Sequence, residues 1–152
     1  MHTTSIVLPK SYIWSQDPAV DKDHPDYSDE KYIESHFDPK YRPIKPGFEP
    51  APFSLGPLPQ KVMIALVGRP VGDQIYQAVI YGLISVTNWH HNGKPVVVKR
   101  VKADRLLRVD EKWMDECGAF NDITLMTELG NAVLALSGIS PLDASDSPSS
   151  PG

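Results

Sequence analysis

Residues 121–140 read NDITLMTELGNAVLALSGIS and carry the strongest helix signal in the chain. Their apolar side chains recur every three or four positions, which places them on one face of an α-helix. The helix should begin at Asn121 or Asp122, whose side chains can accept hydrogen bonds from free backbone N–H groups, and end near Gly138. The residues of this apolar stripe are Leu125, Leu129, Val133 and Leu136.

An apolar stripe needs a surface that covers it, and two interpretations are open. The stripe can pack into the core of this chain, which is the commoner use of such a pattern, or it can dock on another protein. Phe53 and Leu55 alternate with polar neighbours like a short strand and are a second apolar element that could contact a partner. The predicted partner-binding residues are Leu125, Leu129, Val133, Leu136, Phe53 and Leu55.

Proline usage divides the chain into three parts. Fifteen of the 152 residues are proline, about twice the average usage of ~5%, and ten of the fifteen fall in the first sixty residues. Residues 1–52 are also acidic and rich in aromatic side chains, which predicts an extended arm lying along the compact part or along a neighbouring subunit. Residues 53–139 should form the compact domain, and residues 140–152, rich in Ser, Pro and Asp, should be a disordered tail.

The pattern of residues 53–139 indicates an α+β fold, mainly helical with a small β hairpin or sheet. Pro95 to Val101 reads as a strand after the turn signal of His91 to Lys94. Residues 84–89 can continue a helix or form the other strand of this hairpin, and periodicity leaves both open. The other helix signals of the chain lie at residues 29–36 behind Ser28, 59–67, 73 to about 89, and 109 or 110 to 117.

Charge and composition narrow the class of protein. The formal net charge is −4, from 15 basic and 19 acidic residues, so a dedicated nucleic-acid coat is not expected. No apolar run approaches the ~20 residues that span a bilayer, and the N-terminus shows no signal-peptide pattern. Cys117 is the single cysteine, so neither an intrachain disulfide nor a thiolate zinc site is expected, and a reducing cytoplasm is the natural compartment.

No pattern in the sequence predicts catalysis, a metal or a cofactor. His90 and His91 are adjacent, whereas metal ligands on a helix face are three or four residues apart. Cys117 could meet these histidines in the fold, but a catalytic Cys–His pair is recognised by geometry, and a small core residue is the commoner role. The loop with Gly68 and Gly72 lacks the Gly-Lys-Ser/Thr end of a phosphate loop. We therefore predict a protein that is not an enzyme.

Basic residues cluster between positions 94 and 108. They can form the solvated face of a strand, pair with the acidic arm, or contact phosphates. Charge pairing is favoured over nucleic acid, because Trp89 is the one adjacent aromatic residue for base stacking. The candidates for charge pairing or phosphate contact are Lys99, Arg100, Lys102 and Arg105.

Several short phrases follow one another between residues 15 and 140. They are Asp17-Pro18-Ala19-Val20-Asp21, Tyr32, Tyr41, Pro46-Gly47, Pro50-x-x-Phe53-x-Leu55-x-Pro57-Leu58 and Leu136-Ser137-Gly138-Ile139-Ser140. This order resembles small morphogenesis proteins of tailed bacteriophages, particularly the tail assembly chaperone type, in which a short β segment precedes a helical domain with a closing helix.

The resemblance implies a protein without catalytic residues or cofactors. Such a protein would hold tail components, the tape measure protein or tail tube subunits, soluble in the host cytoplasm, and would be absent from the finished virion. Self-association is also open. A first alternative is a structural virion protein, a head-tail or tail component whose arm contacts neighbouring subunits. A second alternative is a nucleic-acid-binding accessory protein that uses the basic residues of positions 94–108.

Overall fold

The computed structural model describes residues 8–139 of the chain. Helices account for 37% of these residues and strands for 18%. The predicted mixture of helix and strand is therefore confirmed, whereas the prediction of a mainly helical domain is not. The predicted tail at residues 140–152 lies outside the described residues.

Five α-helices lie within residues 8–139, and local capping explains several of their ends. Ser28, Asp110 and Asp122 each accept a hydrogen bond from a backbone N–H group of the following first turn. Gly118 ends a helix in the left-handed conformation, at φ +74°. These four positions match the sequence predictions. The helices are α1 (Asp29–Glu34), α2 (Gln60–Leu66), α3 (Val71–Gly82), α4 (Glu111–Cys117) and α5 (Ile123–Leu136).

Seven short strands pair in antiparallel fashion within the described residues. They are β1 (Lys10–Tyr12), β2 (Phe53–Leu55), β3 (Leu83–Val86), β4 (His90–His91), β5 (Lys94–Pro95), β6 (Arg100–Ala103) and β7 (Leu106–Val109). β1, β2 and β3 form one sheet in that order, with Tyr12 opposite Phe53. β4 and β5 form a hairpin around Asn92-Gly93, and β6 and β7 form another around Asp104-Arg105.

α3 and α5 pack closely because glycine stands at their contact. A β-carbon on Gly130 would lie 2.5 Å from Cγ2 and 2.6 Å from the carbonyl oxygen of Ile75. A β-carbon on Gly82 would likewise collide with the side chain of Val133. The missing side chains let the two backbones approach, and the core forms around this contact.

The N-terminal segment belongs to the same core and is not a separate extended arm. Tyr12, Tyr32 and Phe37 are buried, and their ring centroids lie between 4.9 Å and 5.7 Å apart. Aromatic rings at this distance add specific ring contacts to the apolar area that they bury. The extended arm predicted at residues 1–52 is therefore not confirmed for residues 8–52. These residues follow the first of its two expected courses, along the compact part of the chain.

Residues 84–86 lie in a strand, which is one of the two alternatives left open for residues 84–89, but the pairing of this strand differs from the prediction. α3 ends at Gly82 rather than near Trp89, and the following strand β3 pairs with β2 instead of with residues 95–101. After the turn, β5 covers only Lys94–Pro95 and pairs with β4, and the next strand, β6, begins at Arg100 and pairs with β7. The stretch at residues 84–86 forms a strand because β2 offers it backbone hydrogen-bond partners and the buried side chains of Phe53 and Leu55. These tertiary interactions outweigh its helical periodicity.

Candidate protein-binding surface

The six residues predicted to bind a partner are buried within the chain. Their exposed fractions are at most 7%. The apolar stripe of α5 thus forms core, which is the first of its two interpretations, and the assignment to partner binding is corrected. An apolar side chain that the same molecule covers is not presented to another protein. The residues concerned are Leu125, Leu129, Val133, Leu136, Phe53 and Leu55.

The basic residues of positions 94–108 are partly engaged by neighbouring groups. Lys99 lies 3.3 Å from Asp110, and half-buried Arg100 donates to two backbone carbonyls at 3.2 Å. Burial lowers the pKa of Arg100. Lys102 and Arg105 are exposed at the end of the β6–β7 hairpin. Charge pairing thus occurs for Lys99, but with a residue of the compact part rather than of the acidic N-terminal segment.

A buried arginine joins the N-terminal segment to α5. The guanidinium group of Arg42 donates to the carbonyl oxygen of Ile13 at 2.7 Å and to Asp29 at 2.9 Å, and its Nη1 lies 3.5 Å from Glu128. The same group stacks on Tyr32, 4.1 Å from the ring centroid. Since a buried charge must be paired and hydrogen-bonded, these contacts explain why an arginine is stable in the interior.

Glu128 is the other half of this connection. The hydroxyl of Tyr12 and both the N–H and the hydroxyl of Ser15 donate to its carboxylate at 2.6–2.7 Å. Burial raises the pKa of Tyr12, and it raises the pKa of Tyr32 to about 12. Both phenols therefore remain neutral at ordinary pH, and the network holds the fold together. In the sequence, this network is indicated by Glu128, the single charged residue of α5, because a lone carboxylate in an apolar helix needs a polar partner.

An open apolar groove lies between α3, α4 and α5. Its volume is about 390 Å³, within the ~300–1,000 Å³ common for ligand pockets. Ile123, at the first position of α5, is 78% exposed, so a large apolar side chain stands free at the groove. Residues that line the groove include Ile75, Tyr76, Met114, Asp115, Ile123 and Met126.

Negative charge borders this groove. Asp115 lines it and forms no ion pair within residues 8–139. The hydroxyl of Tyr76 donates to Glu111 at 2.7 Å, and Glu111 also pairs with Arg108. Burial, the hydrogen bond to Glu111 and the charges of Glu111 and Asp115 raise the pKa of Tyr76. Within the described part of the chain, residues 8–139, no lysine or arginine lines the groove.

Sequence reasoning did not single out the groove residues of α5. Ile123 precedes Leu125 by two positions, which places it about 200° around the helix from the apolar stripe. Met126 and Thr127 lie on the groove side with it. The sequence does mark Ile123 as an apolar residue directly after the cap Asp122 and off the buried face. A search for helical periodicity does not select such a residue.

Two other cavities bring chemistry-bearing residues together. His91 and Cys117 line one of about 350 Å³ beside Trp113, but no group of three or more His, Cys, Asp and Glu residues within 8–139 could hold a metal. The other, of about 470 Å³, lies between Trp14 and Trp89. The indole N–H of Trp14 has no acceptor among the described residues, but one donor does not define a protein-sized surface. The groove is therefore the better candidate for binding a protein.

No family model, curated protein or solved structure matches the chain. Among the helices described for residues 8–139, none has the length and apolar character needed to cross a membrane.

Proposed function

We propose that the chain is a non-enzymatic protein of phage morphogenesis, a tail assembly chaperone that keeps tail components soluble through apolar contacts. Its partners are the tape measure protein or tail tube subunits, and its place of action is the host cytoplasm. The observation that supports binding is the open apolar groove between α3, α4 and α5. The connection to phage tails rests on the resemblance of residues 15–140.

The groove supports a transient protein contact for a physical reason. An apolar side chain such as Ile123 gains about 25 cal/mol for each Å² that a partner removes from water. The groove combines this exposed residue with half-buried Ile75 and Met126. A partner can therefore bury Ile123 and pack its own apolar side chains into the concave surface. The flexible thioether of methionine adapts to different apolar shapes, which suits a protein that holds unassembled chains.

The two alternatives have less support from the described residues. A structural virion protein was considered because an extended arm could cross neighbouring subunits, but Tyr12, Tyr32 and Phe37 pack in the core of their own chain. A nucleic-acid-binding protein needs a continuous basic face, but Lys99 pairs with a carboxylate and Arg100 turns to backbone carbonyls.

The experiment is to express the tagged chain during infection by the phage that encodes it, and to analyse both the captured complexes and the purified particles. A chaperone should be recovered with tape measure or tail tube protein and should be missing from the particles. The Ile123→Glu variant should lose the tail protein, because a charge at the groove opposes apolar contact. Val97→Glu, at an exposed valine outside the groove, should retain the tail protein.

Two results would count against the proposal. Stoichiometric presence of the chain in purified particles would indicate a structural protein. Capture of tail proteins that is equal for the wild type and for Ile123→Glu would show that the groove is not the binding surface.

A further inference from the structure

The dimensions of the groove fit one face of a helix. Its α3 side runs from Gly72 to Tyr76 and its α5 side from Ile123 to Thr127. Each side is five residues long, and its four steps of ~1.5 Å correspond to about 6 Å, slightly more than one helical turn. A helix lying between them would insert two or three apolar side chains at spacings of three and four residues.

The charges around the groove specify what should flank those apolar side chains. Asp115 lines the groove and forms no ion pair within residues 8–139, whereas the carboxylate of Asp122 lies outside the lining and caps the start of α5. Glu111 and its partner Arg108 neutralise one another. The nearest base on α4 is Lys112, which is exposed and does not line the groove. The balance at the groove is therefore acidic.

We propose that this groove binds an amphipathic helix of a partner protein whose apolar face is bordered by lysine or arginine. The apolar face covers Ile123 and Met126, and a basic residue of the partner pairs with Asp115. The inference rests on the proposed function only for the identity of that partner. The specificity for basic over acidic helices follows from the charges of this chain alone.

The test uses the full chain and two synthetic peptides. Both peptides carry leucine at positions i, i+3, i+4 and i+7 of one helical face, and the remaining positions are lysine and alanine in one, glutamate and alanine in the other. Binding is measured by isothermal titration calorimetry at low and at moderate salt. The lysine peptide should bind at least about tenfold more tightly than the glutamate peptide, with the difference shrinking as salt rises.

Three variants separate groove binding from general attraction to an acidic protein. Ile123→Ala should weaken the lysine peptide by about tenfold, because it removes the exposed anchor. Asp115→Asn should lower the affinity for the lysine peptide by about two- to fivefold and should not lower the affinity for the glutamate peptide. Val97→Ala removes an exposed valine outside the groove and should leave the affinity of both peptides unchanged.

Equal binding of the two peptides would overturn the inference, as would lysine-peptide binding that Ile123→Ala and Val97→Ala affect alike. Failure of the proposed function has a different signature. If the lysine peptide binds with the expected dependence on Ile123 and Asp115, but no tail protein is recovered from infected cells, the groove specificity stands and the phage assignment falls.

Discussion

The Gly130→Ala substitution tests whether the α3–α5 contact depends on the absence of a side chain. Alanine is the better helix former, so propensity alone would raise the free energy of unfolding by about 1 kcal/mol. The new β-carbon would lie 2.6 Å from the carbonyl oxygen of Ile75, however, and 3.1 Å from its carbonyl carbon. A rotamer change of Ile75 cannot move backbone atoms, so the two helices must separate.

Overpacking of a core costs about 1–3 kcal/mol, and a clash with backbone belongs at the upper end of that range. Subtracting the gain in propensity leaves Gly130→Ala less stable by about 2 kcal/mol. For a chain of 152 residues this corresponds to a thermal midpoint about 4–8 °C lower. The measurement is denaturant unfolding followed by circular dichroism, with thermal melting as a second readout.

Gly72→Ala is the matched control, since Gly72 lies in α3, one of the two helices, but a β-carbon there meets nothing within 4 Å. It should be neutral or more stable by up to about 1 kcal/mol. A Gly130→Ala protein as stable as Gly72→Ala would refute the close approach of α3 and α5. A fall of equal size in both variants would show that the clash is not the cause.

Three further substitutions probe the polar contacts and one strained turn. Glu128→Gln should lower the free energy of unfolding in urea by about 1.5–3 kcal/mol, because it removes a charged acceptor and the charge facing Arg42. Arg105→Gly should raise it by up to about 1 kcal/mol, because Arg105 has φ +69°, and unchanged or lower stability in the same urea titration would contradict this. Burial opposes ionisation of Asp110, but hydrogen bonds from the Trp113 N–H, Lys99 and the Lys112 N–H outweigh it and lower its pKa. Its stabilising contribution is therefore present above about pH 4 and is lost as the pH falls further, so the stability difference between wild type and Asp110→Asn should shrink between pH 6 and pH 2 in thermal melts.

The helix ends could be predicted because capping is a local interaction. Asp110 and Asp122 accept hydrogen bonds from N–H groups two or three residues away, and Gly118 adopts a left-handed conformation that its own lack of a side chain permits. Such signals require no knowledge of the rest of the fold. They therefore located the starts of α4 and α5 to within a residue.

The end of α3 could not be predicted, because its cause is distant in sequence. Leu83 and Val86 continue the apolar pattern of the helix, but they pair with β2 about thirty residues earlier in the chain. Gly82 permits the change of direction in a place where a β-carbon would meet Val133. Neither relation leaves a trace in the periodicity of residues 71–89.

The N-terminal segment shows how two sequence signals can point in opposite directions. Proline content predicted an extended arm, whereas the density of aromatic residues predicted burial, and burial prevails for residues 8–52. Arg42 helps to fix this segment against the compact part, since it links Ile13, Asp29 and Glu128 across the chain. Nothing in the sequence marks this arginine among fifteen basic residues, because its environment exists only after folding.

The candidate binding surface could not be predicted from the helical pattern either. Folding buries a strong apolar stripe such as that of α5, so its residues indicate the core of the chain rather than a partner-binding surface. Apolar residues that remain exposed must lie off the stripe, as Ile123 does at 78% exposure. In a small protein with a strongly amphipathic helix, a search for a partner surface should therefore begin with the exposed apolar residues that lie off the buried stripe.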